Sequence, residues 1–123
     1  VQRVDGVDNL FANRYVDNAW QAEPTLISDG SSSVPDFDVG FGVDRNGNGL
    51  VTFSQLDTLR YARLPGETGT WQPDEELDAP DLGPIDQLGR TQLGMGPSGV
   101  AVAIYCAGYY EDSMNAIYAA VFD

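Results

Sequence analysis

Histidine and lysine are absent from this 123-residue chain, and Cys106 is its single cysteine. Without histidine, Ser-His-Asp and Cys-His nucleophile pairs and His-ligated zinc are excluded. One cysteine excludes an internal disulfide. Cys106 sits in an apolar run, Gly99 to Ala107, where it is expected to pack as a small buried hydrophobe. Positive charge is scarce as well: six arginines face nineteen acidic residues, for a formal charge of -13 and a pI near 4.1. So acidic a chain repels phosphate backbones and anionic lipid, which argues against nucleic-acid and membrane-surface partners. No stretch reaches the roughly 20 apolar residues that cross a bilayer. What is present is a folded core in the making: 42% hydrophobic residues, with two Trp, six Tyr and five Phe. The length supports one domain. A first residue that is valine reads as a processed form or a segment of something longer, and the lysine-free acidic composition fits a periplasmic or secreted, extracytoplasmic setting.

Self-similarity is the strongest internal signal. Leu10-Phe11-Ala12-Asn13-Arg14-Tyr15, followed by Trp20-Gln21, recurs as Leu59-Arg60-Tyr61-Ala62-Arg63-Leu64, followed by Trp71-Gln72. The tryptophans are 71 − 20 = 51 residues apart. A third copy begins in Ala116 to Phe122, with Phe11, Tyr61 and Tyr118 in correspondence at spacings of 61 − 11 = 50 and 118 − 61 = 57. Val39-Gly40-Phe41-Gly42 recurs as Leu93-Gly94-Met95-Gly96, an offset of 94 − 40 = 54.

Within each period the pattern is that of strands. Val100 to Ala107 is apolar on both faces and is expected to be buried on both. Leu50 to Ser54 alternates, and is expected to be half-buried. Turn clusters at 29–33, 46–49, 65–69 and 96–99 separate the runs, and no amphipathic helix is evident. The fold class is all-β. Four short strands every fifty residues or so is the pattern of a β-propeller blade; a small sandwich containing a duplication is the alternative. In blade terms residues 1–29 hold the last two strands of one unit. Residues 30–80 make a complete four-stranded unit, and 81–123 the first three strands of another. About two blades, out of phase with the repeat, require further chain or other subunits to complete them.

Leu10 to Trp20, Asp44-Arg45-Asn46-Gly47-Asn48-Gly49-Leu50-Val51 and Ile117 to Asp123 resemble the tandem repeats of bacterial secreted β-propellers. In those repeats a D-x-N-G-N hairpin precedes an apolar strand and a Trp opens the outer strand. They are also similar to sialidase-like propellers, whose Asp-box turn is approached here by Gly66-Glu67-Thr68-Gly69-Thr70-Trp71, with Glu67 in place of the Asp. The resemblance implies a propeller with an extracytoplasmic role. It does not imply sialidase activity, because that family's arginine cluster does not map onto Arg14, Arg60 or Arg63.

Three local features bear on chemistry. Asp44-Arg45-Asn46-Gly47-Asn48-Gly49 matches the D-x-[DN]-x-[DN]-G calcium loop, and Asp44, Asn46, Asn48, the Leu50 carbonyl and Thr52 are its candidate ligands. The twelfth position is Gln55 rather than the usual Glu, and Asn-Gly also supplies the positive φ of a plain hairpin turn, which is the competing reading. Gly94 to Gly99 spells G-x-G-x-x-G, but a strand-like run follows it where a dinucleotide site needs a helix. Tyr109, Tyr110 and Trp71 are candidates for stacking on a sugar, and packing is the plainer reading for the remaining tyrosines. Together these point to a non-catalytic structural or protein-interaction module, an accessory part of a larger assembly. A fragment of a glycoside-acting or carbohydrate-binding propeller is the alternative.

Overall fold

A computed structural model describes residues 1–34, 38–55, 58–77, 87–108 and 115–123. They form an all-β structure with no helix among them. Six short strands come first: β1 (Gln2–Val4), β2 (Val7–Asn9), β3 (Phe11–Ala12), β4 (Tyr15–Val16), β5 (Ala19–Trp20) and β6 (Thr25–Leu26). They pair antiparallel as β1 with β2, β3 with β6 and β4 with β5. A four-stranded antiparallel meander follows: β7 (Val39–Val43), β8 (Gly49–Gln55), β9 (Thr58–Leu64) and β10 (Glu75–Glu76). The last sheet is a three-stranded meander of β11 (Gln87–Met95), β12 (Ala101–Gly108) and β13 (Asn115–Phe122).

The central sheet is covered on both faces. On one, Val51, Phe53 and Ala62 meet Leu10, Ile27 and Val34 of the N-terminal segment. On the other, Leu50 packs with Ala101, Ala103 and Phe122 of the last sheet. The two sheets approach most closely through glycine. A Cβ placed on Gly40 would stand 2.9 Å from the Leu93 Cβ, and one on Gly42 would stand 2.7 Å from the Met95 Cβ. Only a residue without a side chain admits such contact. Because 40 meets 93 and 42 meets 95, β7 and β11 run in the same direction across this seam.

The sequence repeats are real pairings, with registers that differ from the sequence expectation. The Asp44 N–H donates to the Asn48 carbonyl at 2.9 Å and the Gly96 N–H to the Val100 carbonyl at 2.8 Å. Gly47 and Gly99 hold φ of 82° and 94° in the two loops. Hairpin β7–β8 is thus repeated by β11–β12 at an offset of 96 − 44 = 52, so Gly42 corresponds to Gly94 and the glycine pair of the sequence reading slips by two residues. In the third strand, Phe53 opposes Arg60 as Tyr105 opposes Tyr118. Arg60, not Tyr61, is therefore the counterpart of Tyr118. The N-terminal segment repeats β9–β10: Ile27 N–H donates to the Leu10 carbonyl as Leu77 does to Leu59, and Gln21 to Arg14 as Gln72 does to Arg63.

Two burial expectations are corrected. All seven residues of β8 are buried, although its pattern alternates, because a layer lies on each face. Strand β12, apolar throughout, is covered on one face only, and Cys106 is exposed on the other.

Candidate functional site

Three turns gather at one end of the sheets: the β7–β8 loop, the turn after β9, and the β11–β12 loop. The chain reverses at Asp44 because Gly47 supplies positive φ and the Asp44 carboxylate caps the loop. Its Oδ1 accepts from the backbone N–H of Asn46 (2.8 Å) and Asn48 (2.9 Å), and its Oδ2 accepts from Asn48 Nδ2 (2.8 Å). The Asn48 amide, with the backbone donors beside it, holds the Asp44 carboxyl below the ordinary carboxylate range. Asn48 Oδ1 in turn accepts from the Gly66 N–H at 2.8 Å. Gly66 lies against the Asn46 carbonyl with no space for a side chain. The second turn closes through Gly69 N–H to the Pro65 carbonyl, and Arg14 Nη1 donates to the Gly69 carbonyl.

Of the calcium-ligand candidates, the fold brings Asp44, Asn46 and Asn48 into one loop. Leu50 and Thr52 lie on β8 instead, opposite Gly42 and Gly40, and Thr52 is roughly 10 Å along the strand from the loop's end. The Thr52 hydroxyl is buried between the sheets without a partner among the described residues. What is assembled is a turn closed by its own donors; a cation would have to replace them at Asp44. No cluster of three or more Cys, Asp or Glu placed to hold a metal occurs among the described residues.

Trp71 is partly buried against the N-terminal side of the central sheet, with ring centroids 6.4 Å from Phe41. Both line a cavity of about 490 Å³ between the N-terminal segment and the central sheet, with Tyr15 and Arg14 at its rim. The Trp71 indole Nε1 is buried with no acceptor among the described residues. Tyr109 and Tyr110 lie outside the described residues. Tyr105 is buried and stacks on Tyr118 at 5.6 Å, a packing role. Burial, then Tyr118, raises its hydroxyl pKa above the ordinary tyrosine value.

Several charged groups on the central sheet are engaged by their neighbours. Arg60 pairs with Asp74, and the Tyr61 hydroxyl donates to Glu75, which raises the tyrosine's pKa. The Arg63 guanidinium lies 5.7 Å from the Tyr61 and Phe122 ring centroids and donates to the Asp123 carbonyl. Arg14, Arg60 and Arg63 are therefore dispersed over separate contacts. Gly94 to Gly99 is the end of β11 and its hairpin loop, with β12 following.

No family model, curated protein or solved structure matches this chain. The feature that the sequence reading missed is the outer face of the last sheet, where Val102, Ile104, Ile117 and Val121 are exposed. The signal was there in the alternation of residues 101–106, but sequence alone does not say which layer is the last.

Proposed function

We propose that the chain is a segment of a β-propeller acting as a non-catalytic structural and protein-interaction module outside the cytoplasm, an accessory part of a larger assembly. The observation that carries this reading is the stagger of three stacked units. The N-terminal segment repeats the pairing of β9 with β10, β11–β13 repeats that of β7–β9, and the first strands of the last two sheets run in the same direction. Propeller blades stack in this manner, and incomplete units leave faces and edges that other protein must cover. The acidic groups of the charged contacts above are held by their own neighbours, which favours a scaffold over a catalytic centre.

Two measurements on the particle isolated from its source test this. Electron microscopy should show a ring of radial blades, and the particle should be inert toward sialosides and aryl glycosides. A globule without radial symmetry would remove the propeller, and glycoside turnover would replace the scaffold with an enzyme. A carbohydrate-binding reading is favoured by one observation, the cavity lined by the aromatic side chains of Phe41 and Trp71. Glycan-array binding abolished by Phe41→Ala would establish it, and absence of any glycan signal would end it.

A further inference from the structure

The two ends of the stack differ in what they leave open. Residues on the outer face of the last sheet have counterparts in the central sheet, at the offset of 52 that relates the two hairpins. Val102 corresponds to Leu50, Ile104 to Thr52 and Cys106 to Ser54. The central residues are 2%, 0% and 5% exposed, whereas Val102 and Ile104 are 38% and 48% exposed and Cys106 is open to solvent. What covers the central positions is known: the sheet that follows, with Leu93 and Met95 of its first strand set against Gly40 and Gly42. The last sheet repeats that receiving surface in part, with Gln92 standing where the central sheet has Gly40. Gly94 is the counterpart of Gly42, and a Cβ placed on it meets nothing within 4 Å, where one on Gly42 would collide with Met95. The described residues of this face carry no charge, in a chain whose net charge is -13.

We infer that the outer face of β11–β13 is the seat for one further antiparallel sheet of the β7–β10 kind, its first strand running parallel to β11, with the counterpart of Val43 set over Gly94 and the counterpart of Phe41 beside the Gln92 side chain. This rests on the stacked-unit reading above and adds the surface, the occupant and its register. The occupant's pattern is on the page. Phe41 and Val43 are the counterparts of Leu93 and Met95, and in this chain they stand exposed at 57% and 49%. A sheet carrying that pair presents what the seat receives. An isolated neutral apolar face is otherwise a site of adventitious association.

A tandem protein tests the seat directly. A copy of residues 65–77 followed by 28–77 is appended after Asp123 of the full chain, so that a β7–β10 sheet is tethered beside the face. Cys106 reports on coverage, since its counterpart Ser54 is buried. Thiol labelling of Cys106 is expected to slow at least about tenfold relative to the single chain, because labelling requires exposure. Gly94→Leu should restore fast labelling while leaving the single chain folded, as nothing occupies that space. Aspartate at the appended counterparts of Phe41 and Val43 should do the same. Labelling as fast in the tandem as in the single chain overturns the inference. So does an appended unit that adds no strand signal by circular dichroism. A ring seen by microscopy alongside an unprotected Cys106 would leave the propeller standing and remove only this seat.

Discussion

Strands β8 and β12 are the second strands of two matching hairpins, yet the more polar of them is the more buried. Strand β8 carries Thr52, Ser54 and Gln55 and is enclosed on both faces. Strand β12 reads Ala-Val-Ala-Ile-Tyr-Cys and shows Val102 and Ile104 to solvent. The difference lies in neighbours, not in the strands. A central strand is covered by whatever layers flank it, and the cost of burying its polar groups is met by partners or left standing. Gln55 finds partners, donating to Asp29 Oδ1 (2.8 Å) and the Ser32 carbonyl (2.9 Å). Ser54 donates to the buried Asp38 carboxylate at 2.8 Å. Thr52 finds none among the described residues.

The largest effect should separate the two strands outright. Phe53 is fully buried, and Phe53→Ala should cost about 3–5 kcal/mol. Its test partner, Ile104→Ala on the open face, should cost under about 1 kcal/mol in the single chain. Urea unfolding of both variants reads the difference, and equal losses would mean that the open face is covered in solution. The glycines sharpen the same contrast at smaller scale. Gly42→Ala drives a methyl into Met95 and should cost about 1–3 kcal/mol, whereas Gly94→Ala should be neutral or stabilising by up to about 1 kcal/mol. Loss of stability at Gly94 would show that something already stands against it. Smaller again is Thr52→Val, which keeps the shape and removes an unpartnered hydroxyl. It should raise stability by about 1 kcal/mol, and a loss would reveal a partner such as an ordered water.

Period-2 alternation and turn residues made the all-β class and most strand positions legible. Residues 49–55 and 58–64 are strands as their pattern requires, and the turn at Asn46 to Gly49 is a hairpin. Register was less legible. Tyr61 and Tyr118 align by residue type, yet they occupy positions one apart, and one residue on a strand exchanges its faces. Coverage was not legible at all. An apolar run states that a strand can be buried, not that a layer is present to bury it, which is why Cys106 is exposed. For the candidate site, the sequence located the Asp44 loop, which the structure shows as a turn closed by its own donors. Spacing placed Thr52 among the ligands, and the strand that follows the loop carries it away.

The smallest effect concerns that loop. Asp44 has its carboxyl pKa lowered chiefly by the Asn48 amide, so the native state favours the ionised form. The stability it contributes is complete above the unfolded-chain value of about 3.9 and is lost as pH falls through the lower native value. Asp44→Asn should therefore melt below the parent at pH 6, with the gap closing as pH drops beneath that window. A gap that persists at the acid end would mean that geometry rather than charge holds the turn. Melting the parent with and without a chelator separates the remaining reading, because a turn closed by its own donors should keep its midpoint, while a fall on chelation would show a cation at Asp44. The exposed end of the stack would be untouched by either result, since Asp44 caps a loop at the central sheet and the open face has no carboxylate among the described residues.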